Sequence, residues 1–181
     1  MQIHVYSLDT KEGSRTVKAI QKSIKEGTEV VAIPLLRSEL KGIRLKGRSG
    51  LDKPDLIILV HYNEGRVLLT GKEGYYNDFM LEAATLTGGN LLVALSNVPT
   101  GPDLLARSDV LQSLAYSAGQ QGLVSLNIQN RFLTWEKKPS EVQLNHIEAT
   151  LQGGVELLCL PDSITAFALS RTRKNGLCTV L

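Results

Sequence analysis

The chain has 181 residues, 43% of them hydrophobic, and a net charge of +2 from 20 Lys and Arg against 18 Asp and Glu. That length buries one core without staples, and the near balance of charge excludes a whole-surface attraction to nucleic acid. Two cysteines and three histidines at no ligand spacing exclude a disulfide framework and the familiar zinc motifs.

No run approaches the length of a membrane helix, and MQIHVYSLD lacks a basic segment followed by a long apolar one, so the expectation is a soluble, cytoplasmic chain. The reading is of one α/β domain over residues 1–181. Ile3 to Ser7 alternates and stops at Leu8-Asp9, and Val17, Ile20 and Ile24 then recur at spacings of three and four up to Gly27. This predicts a strand followed by a helix. Thr28 to Leu36 is a second apolar run, stopped or bent by Pro34, so the opening is a βαβ unit. Residues 37–53 set Arg37, Lys41, Arg44, Lys46, Arg48 and Lys53 against Glu39 and Asp52, with Gly42, Gly47 and Gly50 between them. They read as a mobile basic loop. Two accounts stand: a solvated connection, or a clamp whose cations converge on a phosphate or an acidic partner.

Leu56 to Val60 and Leu91 to Leu95 are unbroken apolar runs, the mark of strands covered on both faces. Between them Phe79, Ala83 and Leu86 repeat at helical spacing, with Asn77 or Asp78 to cap the start and Gly88-Gly89 to end it. Val98 to Asp103 is a loop by its Pro and Gly content. Leu111, Leu114, Ala115 and Ala118 predict a helix from a Ser108 cap, Leu123 to Ile128 a strand, and Gln129-Asn130 a turn back into Phe132 to Trp135. Ser140 and Gln143 fit a capping box, opening a helix through Leu144, Ile147 and Leu151 that Gly153-Gly154 close. Val155 to Leu160 and Ile164 to Ser170 read as strands. Asn175-Gly176 then predicts that Leu177 to Leu181 pairs back as a hairpin, making 155–181 an antiparallel addition.

In open α/β sheets ligands bind at the carboxyl ends of the strands, which singles out His61, Tyr62, Asn63, Ser96, Asn97 and the helix start at Asp78. Gly65 to Glu73 is not a phosphate loop: its glycines are one residue too far apart, and Glu73 stands where a metal-binding Ser or Thr belongs. No dinucleotide or zinc-protease signature occurs, so no cofactor is implied. His61 can meet Ser96 at the same edge as a base and nucleophile, or it can be a satisfied structural histidine. Glu82 lies beside the helix's buried face within about a turn of Asp78, where partial burial and a like charge favour acid or base work near neutral pH. It can equally be a flank glutamate.

The order IHVYSLD, DLIILVHYN, GYYNDFMLEA and NLLVALSNV resembles Toll/interleukin-receptor (TIR) domains and, more distantly, nucleoside deoxyribosyltransferases, over roughly the first hundred residues. The resemblance implies a three-layer fold of the flavodoxin or TIR type, with a mostly parallel central sheet. In the enzymatic members of both groups a helix-borne Glu serves cleavage of an N-glycosidic bond, and Glu82 is the matching position. The serine-tryptophan-cysteine pattern of plant TIR domains and the transferases' glycine-threonine pattern are both absent.

Two functions follow as expectations. In the first, a nucleotide-like ligand stacks its base on Tyr62, Tyr75 or Tyr76, sets its phosphates against Arg44 and Arg48, and has its sugar held by Asp9, Asn63 and Ser96. Glu82 then stabilises the positive charge developing on ribose. In the second, the same scaffold is a non-catalytic protein-interaction module using the basic loop or residues 98–103. Nucleic acid is not an expected partner. A membrane enters only through Cys178-Thr179-Val180-Leu181, which has the form of a prenylation signal that the Asn175-Gly176 hairpin would hide.

Overall fold

Five parallel strands are hydrogen-bonded in the order β2-β1-β3-β4-β5 in the computed structural model, which describes residues 1–45, 53–64, 74, 76–118 and 121–154. They are β1 (Gln2–Ser7), β2 (Glu29–Pro34), β3 (Leu56–Tyr62), β4 (Leu91–Ser96) and β5 (Phe132–Trp135). The register is continuous, with Ser7 opposite Val60, Val60 opposite Ala94 and Ser96 opposite Trp135. Parallel neighbours need long crossovers, and these are supplied by α1 (Thr10–Gln21), α2 (Asn77–Thr87), α3 (Ser108–Ala118) and α4 (Gln121–Ile128), with α5 (Glu141–Leu151) following β5.

The unbroken apolar strands need cover on both faces, and two core clusters provide it. On one face Ile57, Leu59, Leu91, Val93 and Leu95 meet Phe79, Met80 and Ala83 of α2, Leu111 of α3, and Leu123 and Leu126 of α4. On the other, Ile3, Val5, Ile58, Val60, Leu92 and Ala94 meet Val17 and Ile20 of α1 and Ile147 and Leu151 of α5. Leu56 to Val60 is fully buried, and each such Leu or Ile stabilises by about 2 kcal/mol relative to exposure. The three-layer α/β fold is therefore present, and its described sheet is parallel throughout.

α1 is started by Asp9, whose Oδ1 accepts the N–H groups of Lys11 at 2.8 Å and Glu12 at 3.0 Å. It packs close to β1 at Gly13, where an added Cβ would come within 3.3 Å of the Ser7 Cβ. α5 carries the expected box: Ser140 Oγ accepts the Gln143 N–H, and Gln143 Oε1 accepts the Ser140 N–H.

Four expectations are corrected. Leu123 to Ile128 is helix α4, not a strand; Leu123 and Leu126, three apart, are both fully buried while Ile128 is 75% exposed, a helical rather than an alternating pattern. Gln129-Asn130 makes no hairpin, because β5 runs parallel to β4. Asn130, in the left-handed region at φ 54°, instead leads out of α4, and the Arg131 N–H returns to the Leu126 carbonyl at 2.7 Å. Asn77 and Asp78 lie inside α2, whose cap position is Tyr76, and Ser108 lies inside α3.

The fourth concerns the basic loop. Residues 37–45 are docked: a 3-10 turn at Arg37–Glu39 is followed by Leu40, Ile43 and Leu45, all buried in one cluster with Tyr76, Phe79 and Met80. Three apolar residues among the cations hold the segment to the body. Residues 46–52, with Arg48, lie outside the described residues, as do Tyr75 and the expected carboxyl-terminal hairpin and prenylation signal at 155–181.

Candidate functional site

The order β2-β1-β3 is that of flavodoxin-like sheets, in which the crossovers leave a crevice between the carboxyl ends of β1 and β3. His61 and Tyr62 stand at that edge on β3. By the strand alternation His61 faces the α2 layer, following Ile57 and Leu59, and Tyr62 faces the α1 layer, following Ile58 and Val60.

His61 Nδ1 shares a hydrogen bond of 2.8 Å with the Tyr76 hydroxyl, and their rings meet edge to face at 5.5 Å. Burial, and secondarily the Arg37 guanidinium, push the imidazole down to about 4. Burial raises the Tyr76 phenol far above its usual range, with Arg37 opposing. Both groups are thus neutral at pH 7. An uncharged imidazole held by an uncharged phenol can donate and accept hydrogen bonds without being titrated by its surroundings.

Ser96 does not pair with this imidazole. Its fully buried hydroxyl donates to the His61 carbonyl at 3.4 Å, while the Asn63 N–H donates to the Ser96 carbonyl at 3.0 Å. Asn97, left-handed at φ 61°, donates from Nδ2 to the Asn63 carbonyl at 2.9 Å. These three residues tie the ends of β3 and β4 together, and the nucleophile pair expected of His61 and Ser96 is not formed.

The acidic candidates are engaged elsewhere. Asp9 caps α1. Asp78 Oδ2 accepts the Gly42 N–H at 2.7 Å; one turn on, Glu82 accepts the Leu45 N–H at 3.3 Å and pairs with Arg44 at 3.5 Å, its side chain 21% exposed. The two carboxylates of α2 therefore fasten residues 42–45, and Arg44, expected to meet a phosphate, sits beside Glu82. The sequence reading named Arg37 only among the cations of residues 37–53; it is the cation nearest in effect to His61 and Tyr76. Glu12, which the sequence reading did not single out, is 2% exposed.

Two steps along the sheet, a cavity of about 250 Å³ lies beside β5 between Thr100–Pro102 and Trp135–Ser140, with Lys137 and Lys138 in its wall. A smaller one of about 90 Å³ lies between Ser7, Gly13 and Pro34. Neither contains the His61–Tyr76 pair. Among the described residues no group of three His, Cys, Asp or Glu could hold a metal, and no helix is long and apolar enough to cross a membrane. Comparison with family models, curated proteins and solved structures finds no match for this chain. Fold and site define a three-layer α/β domain with a polar edge at its switch point.

Proposed function

We propose that this domain binds a nucleotide-like small molecule at the carboxyl edge of β1 and β3. The observation that carries the reading is the His61–Tyr76 pair, neutral, with Tyr76 buried and His61 partly exposed where the strand order opens a crevice. In this reading His61 hydrogen-bonds the ligand, Tyr62 offers a stacking face and Arg37 meets its anionic end. Glu82 is the carboxylate for cleavage of an N-glycosidic bond. Its partner Arg44 is 78% exposed, so a ligand phosphate that draws Arg44 away leaves the Glu82 carboxylate beside the developing positive charge of ribose.

The test is incubation of the protein with NAD and a panel of nucleosides and nucleotides, with calorimetry for binding and chromatography for released base, alongside His61→Ala and Glu82→Gln. Binding weakened in His61→Ala supports the site, and base release lost in Glu82→Gln supports the chemistry. Binding without release leaves a ligand-sensing domain. Neither, at protein concentrations near those of the ligand, moves the reading to a protein-interaction module on the same scaffold.

A further inference from the structure

The loops that leave β4 and β5 at the carboxyl edge of the sheet, residues 97–107 and 136–140, flank the cavity of about 250 Å³. Its walls are set before anything enters. The Arg107 N–H donates to the Thr134 hydroxyl at 2.8 Å, the Thr134 and Thr100 hydroxyls share a bond of 2.7 Å, and Thr100 gives its own proton to the Val98 carbonyl at 2.9 Å. On the other side the Gln143 amide is spent on the Leu104, Leu105 and Thr134 carbonyls and on the Ser140 N–H. Small molecules bind in concave sites that are pre-formed in this way.

The side chains left over are mostly donors. Lys137 and Lys138 are exposed and in no ion pair among the described residues. The Ser140 hydroxyl, which accepts the Gln143 N–H, still has its proton to give. Trp135 is 2% exposed, and its Nε1–H is buried without a hydrogen-bond partner among the described residues, an uncommon state for an indole. An orphan donor and two ammonium groups around one cavity call for a guest that accepts. Glu136 opposes them with a single carboxylate, which leaves the wall one positive charge in excess. Size narrows the class further. At about 30 Å³ per water the cavity holds roughly eight, the room of a small organic anion rather than of a nucleotide.

We propose that this cavity is a second ligand site, which takes a small organic anion with its carboxylate or phosphate group toward Lys137, Lys138 and Ser140 and its apolar part against Pro102 and Trp135. The site is independent of the nucleotide-like reading above. Trp135 is the chain's one tryptophan, so its fluorescence reports on the cavity directly. The experiment is a fluorescence titration, repeated by calorimetry, with benzoate, phenyl phosphate and the neutral benzamide at constant ionic strength. It uses the wild type, the double variant Lys137→Gln/Lys138→Gln, and Lys18→Gln/Lys22→Gln, which removes the same charge from exposed positions at and just beyond the end of α1. The wild type should saturate with both anions below about 10 mM and bind benzamide about tenfold more weakly. Lys137→Gln/Lys138→Gln should lose about tenfold for the anions alone, and Lys18→Gln/Lys22→Gln should lose nothing. A wild type that saturates with neither anion by either method overturns the site, and benzamide binding as tightly as benzoate overturns its anionic class. Equal losses in the two lysine variants overturn it as a general effect of charge. An anion affinity that falls in His61→Ala instead puts the anion at the β1–β3 edge and overturns it as well.

Discussion

His61 and Tyr76, fifteen residues apart in the chain, are joined side chain to side chain across the end of β3 and the start of α2. The bond links the sheet edge to a helix whose cap residue, Tyr76 itself, makes no side-chain hydrogen bond to the helix's own N–H groups. Because the imidazole is pushed to about 4, its titration by NMR should have its midpoint near that value rather than near 6.5. Arg37→Ala should move the midpoint upward, since a like charge is removed.

The same shift makes the fold acid-sensitive. A histidine that protonates less readily folded than unfolded contributes stability that is complete above pH 6.5 and is lost as pH falls toward the folded value, here about 4. Burial lowers His4 and His146 too, opposed by the Glu29 charge at His4 and by the Asn130 carbonyl at His146. Urea midpoints should therefore be level from pH 7 to 8 and drop steadily from 6.5 to 4. His4→Leu should make that drop shallower, because both His4 ring nitrogens are buried without a hydrogen bond among the described residues.

Asp78→Ala and Glu82→Ala each release one backbone N–H of residues 42–45, at about 1 kcal/mol apiece. Amide exchange should quicken at Gly42 in the first and at Leu45 in the second. The double variant should lose about 2 kcal/mol if the two fastenings act independently.

Gln143 has the largest structural duty of any single amide described. Its Nε2 reaches the carbonyls of Thr134 at 2.5 Å, Leu105 at 2.9 Å and Leu104 at 3.1 Å, tying the turn before α3 to β5 and α5. Gln143→Ala removes this donor from the Leu104 and Thr134 carbonyls and the acceptor of the Ser140 N–H, while the Leu105 carbonyl keeps the Thr134 N–H at 3.0 Å, and it should cost about 2 kcal/mol or more by chemical denaturation.

Gly88 ends α2 at φ 69° with no atom within 4 Å of an added Cβ. Gly88→Ala should thus cost about 1 kcal/mol through backbone strain alone. A matching loss of thermal stability with unchanged packing, read from methyl chemical shifts, checks it.

Much of the architecture was legible because Leu56 to Val60 and Leu91 to Leu95 are apolar without interruption, the pattern expected of doubly covered strands. The run Leu123 to Ile128 was misread for the same reason turned round: six apolar-rich residues carry too little period to separate a buried strand from a short buried helix. At the site, the strand ends were placed correctly but the partners were not. Sequence cannot show that Ser96 would take a main-chain carbonyl, that Asp9 would cap a helix, or that Tyr76, fifteen residues on, would meet His61. Those choices depend on register and helix phase, which apolar runs do not encode.

The strand order also fixes a history. β1, β2 and β3 are complete by Tyr62 and form the contiguous block β2-β1-β3, after which β4 and then β5 add outward on the same side. A chain leaving the ribosome can close this block early, and every later strand finds its docking edge already made. At 5–20 residues per second, synthesis from Tyr62 to Ser96 takes roughly 2–7 s, during which the open edge of β3 waits for β4. The nascent domain should be most dependent on a chaperone in that interval.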